Sequence, residues 1–433
     1  MDGYVLYLDR AIGRMREGMK THVVLPKLLV ANLIKQLDPM IAEPADKSPF
    51  WQPIAKLPAA FSAADKARLT AAYRAELTDK IAPAYRRLRA FLNDEYMAAA
   101  RDGVGLVAMP GGDKLYALLV KQQTTTDMTP EQVHQLGLSE VARIRGEMEQ
   151  VKTQVGFKGD LHAFFDHLRT APEFKPKSKD QLRLGYEAIG RKVDQAIPRD
   201  FSLKPRTPIE IRPVPLYLEK SQAGGYYNQG SPDGTRPGVF YFNTYDLPSR
   251  TTWGMETLYL HEGVPGHHCQ ISLAQENDKL PKFMRFGGTT AFAEDWALYA
   301  ESLGYELGMF TDPYQRFGHL NDEMLRAMRL VVDTGIHAKG WSRDQAMQYF
   351  RDNTMLSERD IQKEVDRYIA NPGQATSYKI GQLRILALRD KARAALGPKF
   401  DIKAFHEVVL ADGALPLDVL EEQVDAYIAR TKG

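Results

Sequence analysis

Three of the chain's ten histidines, His261, His267 and His268, fall within eight residues, and Glu262 directly follows the first. Two imidazoles one helical turn apart with a glutamate beside them are the donor set of helical zinc hydrolases, where the nitrogens hold the metal and the carboxylate takes a proton from water. The usual spacing is H-E-x-x-H, but the fourth residue after His261 is Pro265, so that pattern is not met. On a straight helix His267 would lie about 240° round from His261, and His268 would lie about 10 Å along the axis. Two nitrogens sharing one zinc must be within about 4 Å. Pro265 removes an amide donor and clashes with the preceding turn, and Gly263 and Gly266 let the backbone depart from the helix. This pattern predicts a helix opened at Gly263, Pro265 and Gly266, which carries His267 to the second-ligand position, with His268 as the alternative. The plainer reading is a helix break flanked by core or surface histidines, and it accounts less well for His-Glu and His-His on either side of one costly break.

A zinc hydrolase needs a third protein ligand and an open coordination position. Glu294 is the candidate, in the mostly apolar run Ala291-Phe292-Ala293-Glu294-Asp295-Trp296-Ala297-Leu298-Tyr299-Ala300-Glu301. A carboxylate buried on such a helix has to be paired or bound to a cation. Glu301, two turns on, shares its face and is the rival, and Asp295 and Glu301 are candidates for orienting the ligands. Glu262 is then the general base.

Elements must hold these groups. Residues 1–200 read as helices: Leu69, Tyr73, Leu77 and Ile81 recur every fourth position behind a cap at Ser62, and Pro83 is expected to kink or end that helix. Thr129-Pro130-Glu131-Gln132 is a helix start with a capping box. Between Ile209 and Arg250 the texture becomes that of a small sheet. Ile209 to Val214 alternates, Gly224-Gly225-Tyr226-Tyr227 follows, and Gly238-Val239-Phe240-Tyr241-Phe242-Asn243 is β-branched and aromatic, with a turn at Ser231-Pro232-Asp233-Gly234. Pro213 and Pro215 make the first strand an edge or end it early. Ser249 is expected to cap the helix that enters the histidine cluster. Helices follow over 292–305, 324–336, from near 342, and over 357–369, 378–395 and 419–428. The expectation is a mainly α fold with one small β-sheet beside the active-site helix. An N-terminal helical part, 1–200, and a catalytic part, 201–433, together enclose a cleft.

Lys+Arg 57 against Asp+Glu 55 leaves almost no net charge, so composition suggests neither a nucleic-acid partner nor an anionic membrane. Cys269 is the only cysteine, which excludes an intramolecular disulfide. No apolar stretch is long enough to span a bilayer, and the start lacks the basic-then-apolar pattern of a secretory signal. Because the chain begins inside a helical pattern, an upstream segment is expected, and with it a periplasmic or secreted location if that segment is a removed signal.

Five segments and a sixth near the C-terminus resemble a bacterial family called domain of unknown function 885. They are Arg236-Pro237-Gly238-Val239-Phe240-Tyr241, His261 to Gln270, Phe292 to Glu301, Asp333-Thr334-Gly335-Ile336-His337, Pro372-Gly373-Gln374-Ala375-Thr376-Ser377-Tyr378-Lys379-Ile380-Gly381, and Gly413-Ala414-Leu415-Pro416-Leu417. The resemblance implies a helical, gluzincin-like metallopeptidase fold, in a family whose members are usually longer at the N-terminus and often exported. A more distant likeness to thimet-type oligopeptidases, whose H-E-x-G-H is followed by Phe-x-Glu, matches Gly266-His267 and Phe292-Ala293-Glu294. It implies Zn2+ on His261, His267 and Glu294, with Tyr378 donating to the oxyanion. Phe240 and Tyr241, on the strand from Val239 to Asn243, are expected to pair with an extended peptide, and His337 and Arg384 to grip a substrate carboxylate. The expected substrate is a short peptide. The other functions open to the sequence are hydrolysis of a non-peptide amide or ester and non-catalytic peptide binding; an intact Glu262 speaks against the last.

Overall fold

The structure, a computed structural model, describes residues 1–220, 222–287 and 290–433. Its architecture is mainly helical with one three-stranded sheet. The chain divides into two compact units, Met1–Leu115 with Ile336–Arg343, and Tyr116–Gly335 with Asp344–Gly433. The change of texture near 200 is the passage from helices to the sheet within the second unit, and the compact units divide elsewhere, at Leu115.

In the first unit, Ser62 caps the helix Ala63–Glu76 by accepting the Asp65 backbone N–H at 3.1 Å. Pro83 does not end the helical path. A wide turn over Leu77–Ile81 leads into Ala82–Ala90, with Pro83 in the first turn of that helix. Leu8, Ile12, Val30, Leu77, Ile81 and Leu92 are buried in one apolar core.

The second unit carries the chemistry. The Thr129–Gln132 capping box is made, and the helix behind it runs Pro130–Gln154. The sheet consists of β1 (Ile209–Pro213), β2 (Gly225–Asn228) and β3 (Gly238–Phe242), in the order β1-β3-β2. β1 runs parallel to β3, pairing Ile211 with Phe240, and β2 runs antiparallel, pairing Tyr227 with Phe240. In the turn joining β2 to β3, Gly234 takes φ 72° and Asp233 accepts the Thr235 backbone N–H at 3.1 Å. β1, which ends at Pro213, is an edge strand as expected. β3 is not available to a peptide, because both its sides are taken by neighbours.

Phe240 is a core residue rather than a substrate contact: it is fully buried, edge-on to Tyr186 at 5.0 Å and to Tyr259 at 6.1 Å. Ser249 does not cap the next helix either. It lies in a short turn, Leu247–Ser249, its hydroxyl donates to the Asp246 carbonyl, and the helix starts at Met255 behind Gly254. The later helices match the expected pattern, running Thr290–Ser302, Pro313–His337, Arg343–Asn353, Glu358–Ala370, Ser377–Leu396 and Leu417–Lys432. Among the described residues no helix is long and apolar enough to cross a membrane.

Candidate metal centre

The helix Met255–Glu262 stops one residue after His261, and a second helix, His267–Glu276, begins at His267. Between them the Val264–Pro265 peptide is cis, and Gly263 and Gly266 both take ψ near −125°. Only glycine fits at position 266, because a Cβ there would lie 2.0 Å from the His261 carbonyl oxygen and 2.3 Å from that of Leu260. The Trp296 indole N–H donates to the Pro265 carbonyl at 2.8 Å and ties the break to the Glu294 helix.

Opened in this way, the chain brings the His261 and His267 rings to 4.8 Å between centroids, nearly perpendicular. Glu294 Oε2 lies 3.6 Å from His261 Nε2 and 3.8 Å from His267 Nε2. One donor atom from each of the three residues lies within 4.8 Å of the others, the separation that a single small cation between them requires. His268 is turned away, buried with Nδ1 3.0 Å from the Tyr227 hydroxyl.

Glu301 is not part of the triad but orients it. Its Oε1 receives the His261 Nδ1–H at 2.7 Å, and its Oε2 accepts from the Thr257 hydroxyl at 2.9 Å. A carboxylate on Nδ1 fixes the ring and leaves the Nε2 lone pair for a cation. Gln270 reaches both His267 Nδ1, at 2.9 Å, and the Ala293 carbonyl, at 2.6 Å. Asp295 makes no hydrogen bond to the triad among the described residues. It is fully buried against Gly381, where a Cβ would collide with it, and neither of its oxygens has a hydrogen-bond partner among the described residues.

The carboxylates around His261 favour positive charge there. Burial pulls the His261 pKa down, but hydrogen bonds to Glu294 and Glu301 outweigh it and lift the value to about 10. Burial pushes Glu294 up, and the His261 hydrogen bond and the charges of both histidines bring it down to about 2. His267, pulled down by burial and by the His261 charge, falls to about 4. His261, between the Glu294 and Glu301 carboxylates, thus favours its protonated form. Glu262 is buried and its pKa is raised, chiefly by desolvation, which makes it a better proton acceptor than an exposed carboxylate.

His261, Glu262, Glu294 and Tyr378 line one cavity of about 470 Å³, together with Gly224 and Gly225 at the start of β2 and Arg250, Asp322, Arg326 and Arg329. The Tyr378 ring lies under the Arg329 guanidinium at 4.5 Å, and its hydroxyl accepts from Gln374 at 3.3 Å. Tyr241 is half-buried and stacked on Tyr226 at 5.1 Å. Arg384 is paired with Glu421 on the wall of another cavity, of about 780 Å³. His337 falls in the first unit, fully buried, with Nδ1 accepting the Leu106 backbone N–H at 3.1 Å. Neither occupies the cavity of the triad as the reading of a carboxylate grip requires. The cavity's own arginines were missed. Their signal was Arg326 and Arg329, three residues apart and therefore on one face of the otherwise apolar stretch from Met324 to Val332.

The profile of a bacterial family, described as protein of unknown function (DUF885), matches residues 1–424. The crystal structure of the "putative lipoprotein from Colwellia psychrerythraea" is 34% identical, with a TM-score of 0.87 over 97% of this chain and 73% of that one. A "putative lipoprotein of unknown function from Shewanella oneidensis" shares the fold at 20% identity, with a TM-score of 0.74 over 92% of this chain and 73% of that one. No curated protein is matched by the sequence.

Proposed function

The chain belongs to the bacterial DUF885 family, and from that premise and the geometry of the triad we propose that it is a zinc-dependent hydrolase of gluzincin type that cleaves short peptides. The observation that carries the proposal is the convergence of His261, His267 and Glu294 donor atoms within 4.8 Å, beside a buried Glu262. Two imidazole nitrogens and one carboxylate suit zinc, and three protein ligands leave a coordination position open. A zinc ion there would polarise the scissile carbonyl and acidify a water.

The chain's own groups do the rest. Glu262, its pKa raised by burial, takes the proton of the attacking water and delivers it to the leaving amine. Glu301 holds the His261 ring through Nδ1. Tyr378, on the same cavity wall, has a hydroxyl able to donate to the oxygen that becomes negative at the carbonyl. β2 takes the role that the sequence suggested for β3: it is an edge strand, it begins in the cavity at Gly225, and an extended peptide can add to its outer side by backbone hydrogen bonds. The Colwellia relative's description as a lipoprotein supports work outside the cytoplasm.

The test is hydrolysis of a mixed library of short peptides by the zinc-loaded protein and by Glu262→Gln. The proposal expects cleavage that a chelator abolishes, and a fall in turnover of about 10²–10⁴-fold in the variant, with zinc content unchanged. Equal turnover in both proteins would remove Glu262 from its role, and zinc bound without any peptide cut would turn the reading towards a non-peptide amide or ester.

A further inference from the structure

The cavity of the triad holds three guanidinium groups, and they are not equivalent. Arg329 is engaged: it pairs with Glu364 at 3.1 Å, donates to the Tyr368 hydroxyl at 3.2 Å, and covers the Tyr378 ring. Arg326 donates to the Asp322 backbone carbonyl at 3.1 Å, but its nearest carboxylate oxygens, on Glu301 and Asp322, are both 3.9 Å away. Its Nε is buried with no hydrogen-bond partner among the described residues. Arg250 donates through Nε to the Tyr245 carbonyl at 3.1 Å, and no carboxylate of the described residues lies within ion-pair distance.

Resting on the reading of the site as a hydrolase, we propose that Arg250 and Arg326 bind a carboxylate of the substrate. A guanidinium has five donors in a planar fork that fits a carboxylate with two parallel hydrogen bonds, and a largely buried one with unmet donors is costly unless a ligand completes it. Arg326 stands close enough to the reacting groups for its charge to be felt by Glu262, His267, Glu294 and Glu301. Arg250 comes from the segment before the His261 helix, and its Nη1 would lie 3.8 Å from a Cβ at Gly224, beside the start of β2. A carboxylate bound by both would lie in the cavity of about 470 Å³ that His261, Glu262 and Glu294 also line. The carboxylate is either the peptide's own C-terminus or an acidic side chain; both offer the same two oxygens.

The test uses one N-acetylated tripeptide in four forms, with a free or amidated C-terminus and with Glu or Gln as its last residue. Binding to the zinc-loaded Glu262→Gln protein is measured by calorimetry, and KM and kcat are measured with the unaltered enzyme. At least a tenfold weakening on amidation assigns the C-terminal carboxylate. The same loss on Glu to Gln assigns a side chain. Arg250→Gln and Arg326→Gln are expected to raise KM at least tenfold for the carboxylate form alone, with kcat changed less, and Arg326→Lys to recover part of the loss.

Equal affinity for all four forms overturns the inference, as do arginine variants that weaken acid and amide forms alike, the mark of a structural role. If the protein binds no zinc and cuts nothing, the hydrolase reading fails, while the four binding constants still decide whether a carboxylate is recognised.

Discussion

At the scale of single residues, the proposed metal site is governed by the proton on His261. His261 holds its proton up to about pH 10 because Glu294 and Glu301 flank it, whereas His267 is neutral above about pH 4. A metal on Nε2 must displace that one proton, so apparent affinity should rise about tenfold per pH unit between pH 6 and 8, and one proton should be released per metal bound. Calorimetric titration in buffers of different ionisation enthalpy measures both; pH-independent affinity would contradict the assignment. Glu301→Gln keeps the shape but loses the charge on Nδ1, and should weaken metal binding about 10–100-fold. That His261, His267 and Glu294 come together could be read from the sequence, because adjacent histidines around a Gly-Pro break have few inexpensive explanations. The division of labour between Glu294 and Glu301 could not. It is fixed by where the two ends of one helix meet His261, a contact across 40 residues of chain.

At the scale of elements, the decisive feature is the gap between the helices Met255–Glu262 and His267–Glu276, which brings His267 beside His261. Gly266 lies so close to the His261 and Leu260 carbonyls that Gly266→Ala must push the His267 helix away. The substitution should cost about 3 kcal/mol, at the upper end of ordinary single changes, and should abolish metal binding. Denaturant unfolding and metal titration would check it, and a variant that keeps its metal would show that the break tolerates movement. Glycine and proline wrote this element into the sequence. The order of strands was less legible, since Gly238–Phe242 carries the strongest strand signal in either an edge or a central place. Its central position follows from being paired on both sides, a long-range fact that also moves the available edge to β2.

At the scale of the whole molecule, every group of the proposed site belongs to the unit Tyr116–Gly335 with Asp344–Gly433. Metal that binds only the folded form stabilises by about 2.7 kcal/mol at a hundred times its Kd. For a unit of this size that is an increase in Tm of about 4 °C, reversed by a chelator. Scanning calorimetry should show that shift, and an unchanged Tm would argue against specific binding. The near balance of 57 basic and 55 acidic residues describes the chain only as a whole. It gave no hint that one cavity gathers three arginines and four carboxylates from separated segments, because composition averages over positions that folding brings together.

The most direct measurement is the metal content of the purified protein after zinc exposure and desalting, made in parallel on His267→Ala and His268→Ala. The account predicts about one zinc per chain in the unaltered protein and in His268→Ala, and loss of that zinc in His267→Ala. Zinc retained in His267→Ala and lost in His268→Ala, or no zinc in the unaltered chain, would contradict it.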